Sequence, residues 1–439
     1  MPDQGLPAGG ITRRAQVDDY LDHLTLFGIK LGLDTVRALL DALGDPHTRY
    51  PAIHIAGTNG KGSCAAFLDA LLGGYGLCVG RYTSPHLVDF SERITVAGRP
   101  IADADLVLLA GRVAAAARPL PQPPTFFEVG TVLALAHFAQ ANGGAPVDAA
   151  VVEVGMGGRL DATNVLTPAV CVITNVDLEH TAYLGTTVDQ VAREKAGIIK
   201  PGVPVVTGAR GVALAVIRER ARELGAPLYV LGRDFGTTRA HRFSYHGIRT
   251  NYHGLTLGMV GAHQRGNAAL ALAALELFFP RGVAAAEPVV AKALAGATWA
   301  GRLERVVEHP PVVLDCAHNP AGAEVLGRHL AGHPHPGPLW LVLGVLADKD
   351  LDGIVAPLAP HAAHVILTAP ASDRAGQPAE QARVVARRHG EVRAVPGVAA
   401  AVERAMAEAR DAGGWVCVAG SVYTVGEARA HLLGPRGAA

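Results

Sequence analysis

The chain is short of several things at once. Cysteine occurs five times in 439 residues, as Cys64, Cys78, Cys171, Cys316 and Cys417, with no C-x-x-C pair. Spacings this wide exclude a zinc knuckle, and an odd, scattered set excludes a disulfide framework. Net charge is absent too: Lys+Arg and Asp+Glu both count 39. That excludes recognition of nucleic acid or an anionic membrane through bulk charge. A long uncharged stretch, Val129–Val147, is broken by His137, Gln140, Asn142, Gly143, Gly144 and Pro146, and makes a poor membrane span. Met1–Arg14 has no apolar core of a signal peptide. The expectation is a cytoplasmic protein with no nucleic-acid or membrane partner.

Lysine is the scarcest of the charged residues. Six lysines (Lys30, Lys61, Lys195, Lys200, Lys292, Lys349) stand against 33 arginines. Where only positive charge matters, Arg serves. The remaining lysines are therefore candidates for positions that need a compact or deprotonatable amine.

What the chain does have is apolar residues, 49% of the total. That is ample for a large core, and at about 150 residues per domain the length suggests two or three domains. Apolar runs at Ala52–Ala56, Ala149–Val154, Val170–Thr174 and Val203–Val206 read as buried strands. They alternate with helical patterns at Ser63–Leu72, Thr187–Gly197 and Val212–Leu224, followed by long helices at Gly266–Phe279 and Pro288–Ala295. A fresh alternation begins after Gly296–Gly301. Its strands are Pro311–Asp315, Leu339–Gly344, His364–Thr368, Val392–Val395 and Trp415–Ala419. Its helices are Pro320–Leu330, Asp352–Leu358, Pro378–Arg388 and Val398–Ala412. The pattern predicts two α/β domains with mostly parallel sheets, residues 1–297 and 298–439.

The sharpest local signal is Gly57-Thr58-Asn59-Gly60-Lys61-Gly62-Ser63, between a predicted strand and a predicted helix. Glycines let backbone N–H groups curl around phosphate oxygens, and a helix N-terminus adds a favourable dipole. The loop departs from G-x-x-x-x-G-K-[ST] by one extra Gly after the Lys. A nucleotide site uses magnesium, which takes hard oxygen ligands. Glu153, closing the strand Ala149–Val154, supplies one in the Walker-B position. Asn175–His180 puts two acids and a His at the next strand's end, suited to a second metal or to proton handling, or else to a capped helix start. Lys195 by spacing alone is a cation near a helix C-terminus. In the second domain Asn319-Pro320 reads as N-cap and N1. Asp315 and His318 sit at the carboxyl end of a strand, where ligands bind in open α/β sheets. Arg302, at the domain boundary, suits a phosphate clamp.

The combination resembles the Mur ligase superfamily in its GTNGKGS loop, and its folylpolyglutamate synthase/dihydrofolate synthase branch in the rest. The segments that carry the likeness are Ser84–Leu87, Glu92–Ile94, Thr125–Glu128, Glu153–Asn164 and Ile173–His180. They continue with Glu194–Gly202, His263-Gln264-x-x-Asn267, Gly301–Glu304, Asp315–Pro320 and Ser421–Glu427. The match runs in collinear order from about residue 20 to 430. It implies a P-loop NTPase-like central domain, a smaller Rossmann-like C-terminal domain and an active site in the cleft between them. It also implies ligation: ATP phosphorylates a pteroyl carboxylate, and the amine of L-glutamate displaces the phosphate.

Position by position, the resemblance implies that Thr58, Asn59, Gly60, Lys61, Gly62 and Ser63 cradle the triphosphate. Asn267, Arg302, Asp315 and His318 would also contact ATP. Ser84 and Glu153 would hold one Mg2+, and His180 a second. Lys195 matches a lysine that the family carbamylates to N6-carboxylysine, a ligand for the second metal; Lys61, His180 and Lys195 are then the catalytic set. Gly28, Ile29, Lys30, Thr125, Phe126, Phe127, Glu128, Leu160, Asp161 and Ala162 would line the folate or dihydropteroate site. Asp161-Ala162 favours both activities, whereas Lys30 stands where the bifunctional type has an acid. Tetrahydrofolate or dihydropteroate is the acceptor, and a monomer is expected. Alternatives are a monofunctional folylpolyglutamate synthase, a nucleotide-dependent regulatory protein, or a cell-wall ligase for a UDP-linked muramyl precursor. The last would need a UDP-binding domain, and only 56 residues precede Gly57. The regulatory protein would be expected to have lost the metal ligands.

Overall fold

The Val- and Ile-rich runs become buried parallel strands, and the polar, helix-periodic segments between them become the layers that cover the sheets. The computed structural model describes residues 10–28, 30–238, 242–279, 286–332, 337–387, 389–390 and 392–434. It divides into two compact units. One comprises residues 1–84, 91–258 and 264–298; the other comprises 85–90, 259–263 and 299–439.

Among the described residues the first unit carries an eight-stranded sheet. Its strands are β1 (Ala52–Ala56), β2 (Val79–Tyr82), β3 (Ile94–Val96), β4 (Arg99–Pro100), β5 (Ala149–Glu153), β6 (Val170–Ile173), β7 (Val205–Thr207) and β8 (Leu228–Val230). The order is β4-β3-β2-β5-β1-β6-β7-β8. All neighbours are parallel except the β2-β3-β4 edge. β1, β5 and β6 are buried along their whole length, as expected of a sheet covered on both faces. Register pairs Ile55 with Glu153 and Ala56 with Ile173. The carboxyl ends of the three central strands are therefore level. The chain leaves β1 toward β2 and β5 on one side and continues through β6 on the other. That reversal is the topological switch point where open α/β sheets bind ligands.

A three-stranded antiparallel sheet, β9 (Gly236–Thr237), β10 (Phe243–His246) and β11 (Asn251–Leu255), follows the eight-stranded one. The second unit has strands β12 (Glu304–Glu308), β13 (Pro311–Leu314), β14 (Leu339–Leu343), β15 (His364–Leu367), β16 (Val392–Ala394) and β17 (Trp415–Ala419). Their order is β12-β13-β17-β14-β15-β16, parallel except for β12. Apolar clusters lie on both faces of this sheet, one around Leu341 and Cys417, the other around Val342 and Val416.

Sequence pattern and structure differ in particular places. The uncharged stretch from Val129 belongs to a helix, Phe126–Phe138, whose residues from Glu128 onward are all buried. It has no polar face, so no amphipathic period marks it. The helices expected at Asp352–Leu358 and Pro378–Arg388 are shorter, Leu351–Val355 and Pro378–Val385, and Arg388 lies outside the described residues. The hairpin edge, the small antiparallel sheet and the last helix, Val422–Leu433, were not expected. Among the described residues no helix is long and apolar enough to cross a membrane.

Candidate active site

The phosphate loop connects β1 to the helix Lys61–Gly74 and is braced by the segment after β6. Thr58 N–H donates to Asn175 O (3.0 Å), Asn59 N–H to Asn175 Oδ1 (2.8 Å), and Thr174 Oγ1 to Asn59 O (2.7 Å). Thr58 Oγ1 accepts from Asp177 N–H at 3.0 Å. Two glycines are dictated by space as well as conformation. A Cβ on Gly57 (φ +149°) would lie 1.9 Å from Thr174 Oγ1, and one on Gly60 (φ +84°) 2.5 Å from Asn267 Oδ1. Lys61 Nζ curls over the loop and donates to Gly57 O (2.8 Å) and Thr58 O (3.2 Å). Those carbonyls hold the ammonium where phosphate oxygens could replace them. Asn267 Nδ2 donates to Gln264 Oε1 (2.9 Å), and Gln264 Nε2 to Ser63 Oγ (3.2 Å). This buried chain orients the first turn of the loop's helix.

Glu153, 4% exposed, ends β5. Its Oε2 accepts from Ser84 N–H at 3.4 Å, which sets a hydroxyl-bearing residue beside a carboxylate just past the ends of β2 and β5. That oxygen donor pair fits a magnesium ion whose other ligands are phosphate oxygens and water. Among the described residues no group of three or more His, Cys, Asp or Glu could hold a metal by itself.

Lys195 is not the surface cation that helix-end spacing suggests. It is 1% exposed, and its Nζ donates to Glu179 Oε1. Burial pushes the ammonium down to about 8; Lys61 adds to the effect, and Glu179 opposes it. Burial alone would raise the Glu179 carboxyl, but the Lys61 and Lys195 charges outweigh it and hold it below the usual range. His180 adjoins this pair in sequence, exposed, at a left-handed turn (φ +45°). As an ammonium Lys195 is no metal ligand. Only after conversion to a carbamate do these residues fit a second metal.

Thr125 and Glu128 form a reciprocal capping box: Thr125 N–H donates to Glu128 Oε2 (2.7 Å) and Glu128 N–H to Thr125 Oγ1 (3.2 Å). The Arg93 guanidinium lies 5.0 Å from the Phe126 ring centroid, and Tyr82 lies 6.1 Å from Phe127. A Cβ on Gly155 would strike the Phe127 ring at 2.3 Å. The loop beyond Gly155 is held by buried Asp161, whose Oδ2 accepts from Met156 N–H (2.9 Å) and Oδ1 from Thr163 N–H (3.0 Å) and Thr163 Oγ1 (2.5 Å). Burial raises the Asp161 carboxyl, and these bonds oppose it. Leu160 is half-buried and Ala162 buried. The structure thus brings Thr125–Glu128 and Asp161–Ala162 to one place. Gly28 and Lys30 are exposed, and Lys30 Nζ donates to Thr35 Oγ1 at 2.9 Å. Ile29 lies outside the described residues.

In the second unit, Asp315 follows β13 and accepts from Leu303 N–H and Ala317 N–H, each at 3.0 Å. It fixes the turn Gly301–Leu303, where Gly301 (φ +68°) and Leu303 (φ +50°) flank Arg302. His318 Nδ1 bonds Cys316 O at 2.8 Å. Sequence reasoning did not single out Glu179, Gln264, Thr174 or Arg93 as site residues. For Gln264 the signal was its place three residues before Asn267 on one helix face.

A glycine loop at a parallel-sheet switch point, with a lysine across it and carboxylates at the neighbouring strand ends, defines a nucleotide-using P-loop enzyme. The Mur ligase middle domain matches residues 55–275, and the Mur ligase glutamate ligase domain matches residues 301–422. The chain is 37% identical over 352 residues to the dihydrofolate synthase/folylpolyglutamate synthase of Bacillus subtilis, covering 77% of this chain and 81% of that protein. It superposes on the Mycobacterium tuberculosis folylpolyglutamate synthase solved with ADP and AMPPCP with a TM-score of 0.88 (37% identity; 94% of this chain, 97% of that one). The bifunctional enzyme of Yersinia pestis, solved with AMPPNP and a Mn ion, gives 0.85 at 33% identity, covering 96% and 98%. The chain belongs to the folylpolyglutamate synthase/dihydrofolate synthase family of the Mur ligases. It is an ATP-dependent ligase that adds glutamate to folates.

Proposed function

We propose that ATP binds with its triphosphate on Gly60, Lys61, Gly62 and Ser63, flanked by Thr58, Asn59 and Asn267. Arg302, Asp315 and His318 are the second unit's nucleotide residues, with Asp315 acting through the turn that carries Arg302. The pteroyl acceptor lies against Phe126, Phe127, Leu160, Asp161 and Ala162. The acceptor carboxylate takes the γ-phosphoryl group, giving an acyl phosphate and ADP. The amine of L-glutamate then attacks the acyl carbon, phosphate leaves and the amide forms. The observation that carries this reading is the levelling of the ends of β5, β1 and β6. It gathers the phosphate loop, Glu153 and the Glu179–Lys195 pair at one edge of the sheet.

Lys61 supplies a positive charge to the transferring phosphoryl group, where positioning and electrostatics do most of the work. Ser84 and Glu153 would hold one magnesium ion, and His180 with Lys195 a second; when bound, these ions neutralise charge on the phosphates. Lys195 serves as N6-carboxylysine: its neutral amine adds to carbon dioxide with loss of a proton. The lowered ammonium pKa, about 8, supports that step. Carbamylation would set a second carboxylate beside Glu179, and two buried like charges call for a cation between them. Dihydropteroate is accepted as well as tetrahydrofolate. The protein acts as a monomer in the cytoplasm, and the five free cysteines suit a reducing compartment.

The test is phosphate release with Mg-ATP, glutamate and tetrahydrofolate in Lys61→Ala and Lys195→Ala. Each should lose at least ~100-fold in kcat, the scale of removing a preorganised transition-state contact. Turnover at the parental rate in either removes that lysine from the mechanism.

A further inference from the structure

His54 is fully buried in the middle of β1, between Val152 of β5 and Cys171 of β6. Its strand neighbours Ile53 and Ile55 are apolar, as a central parallel strand requires. A polar ring there is costly unless bonded. His54 Nε2 lies 2.8 Å from Thr163 Oγ1. Thr163 Oγ1 lies 2.5 Å from Asp161 Oδ1, and its one proton must go to that carboxylate. The hydroxyl therefore accepts from His54, which fixes the imidazole as the Nε2–H tautomer. The other nitrogen agrees: buried Nδ1 meets no hydrogen-bond donor or acceptor among the described residues. A lone pair left unpaired there costs less than an N–H would, together with a broken Thr163–Asp161 bond.

We infer that His54 is a positioning residue for the pteroyl acceptor, holding Asp161 and the loop from Gly155 to Leu160 in place through the Thr163 hydroxyl. The inference rests on the assignment of that loop to the acceptor. Asp161 is the hub of the loop, accepting from Met156 and Thr163. Its orientation depends on a hydroxyl whose proton His54 directs. Burial keeps the His54 ring neutral, pushed down to about 3 with Lys200 adding to the effect. The donor is thus the same Nε2–H throughout the neutral range. β1 also carries the phosphate loop three residues on, so one strand positions both substrates from its buried face and its end.

Steady-state kinetics with tetrahydrofolate and ATP varied separately test this. Thr163→Val, which removes a hydrogen bond to a charged group, should raise the tetrahydrofolate KM about tenfold, and His54→Val, which removes a neutral one, about fivefold. The ATP KM should stay within about twofold. The double variant should be no worse than Thr163→Val alone, and His54→Gln, which keeps an N–H donor, should recover part of the loss. An unchanged tetrahydrofolate KM in His54→Val, or an ATP KM rising in parallel, overturns the inference. Asp161→Asn separates the two layers. If it leaves the tetrahydrofolate KM unchanged, both the acceptor assignment and the inference fall; if it raises the KM where His54→Val does not, only the inference falls. The ring nitrogens of the unmutated protein, read by 15N NMR, give a check free of folding defects. Protonated Nε2 with bare Nδ1 supports the relay, and the reverse tautomer refutes it.

Discussion

Lys195 shows how far the meaning of one side chain depends on what surrounds it. Its spacing reads as a helix-end cation, yet it is 1% exposed and paired with Glu179. The scarcity of lysine made it a candidate for a position needing a deprotonatable amine, since an arginine cannot lose its proton or form a carbamate. Lys195→Arg keeps the charge and should still lose ~100-fold in glutamate-dependent phosphate release; activity within a few-fold of the parent would show that charge alone suffices. Gly60 was legible as a loop glycine, but its close contact with Asn267 was not, because the two are 207 positions apart. Gly60→Ala meets Asn267 Oδ1 with its new methyl and is strained at φ +84°. Nucleotide affinity measured by calorimetry should fall at least about tenfold. Glu179 stood in a segment marked as acidic, yet only the fold selects it over Asp177, which is exposed.

At the scale of elements, central strands were legible because each is a short apolar run ending in a glycine-rich or acidic turn, as with β1 before Gly57 and β5 ending in Glu153. The helix Phe126–Phe138 was not, because burial on all sides erases the periodic stripe that betrays a helix. Short edge pieces such as β4, two residues long, carry too little pattern to find. β1 also yields a pH prediction. Burial holds folded His54 near 3, whereas an unfolded histidine titrates near 6.5. Below about pH 6.5 the unfolded chain binds the extra proton, so stability falls as pH drops toward 3. His54→Gln removes this contribution, and urea melts should show a shallower loss of stability between pH 7 and 5; an unchanged slope would mean the imidazole is not held neutral. The loop–helix contact gives a second test. A Cβ on Gly158 would lie 2.8 Å from Glu194 O and 3.1 Å from Lys195 O. Gly158→Ala should shift the last turn of the Lys195 helix and lower kcat, with the ATP KM little changed.

At the scale of the whole molecule, alternation of strand and helix was enough to predict α/β architecture with mostly parallel sheets. Two excursions escaped it: residues 85–90 and 259–263 belong with the second unit although the surrounding chain belongs with the first. No local pattern announces such a crossing. It is written in tertiary contacts, such as Gly426, where a Cβ would meet Leu87 O at 2.0 Å. The second unit's part in the reaction is tested through Asp315. Asp315→Ala leaves the Leu303 and Ala317 N–H groups without their acceptor, and should cost about 1–3 kcal/mol of stability. It should also raise the ATP KM through Arg302; melting curves and ATP titrations read the two effects separately.

The central claim is that this one site joins glutamate to pteroyl acids of both kinds. Glutamate-dependent phosphate release with Mg-ATP, comparing dihydropteroate with tetrahydrofolate as acceptor, tests it most directly. The account predicts turnover with both, the exposed Lys30 being tolerated. Turnover with tetrahydrofolate alone would contradict the dual assignment, and silence with both would contradict the site itself.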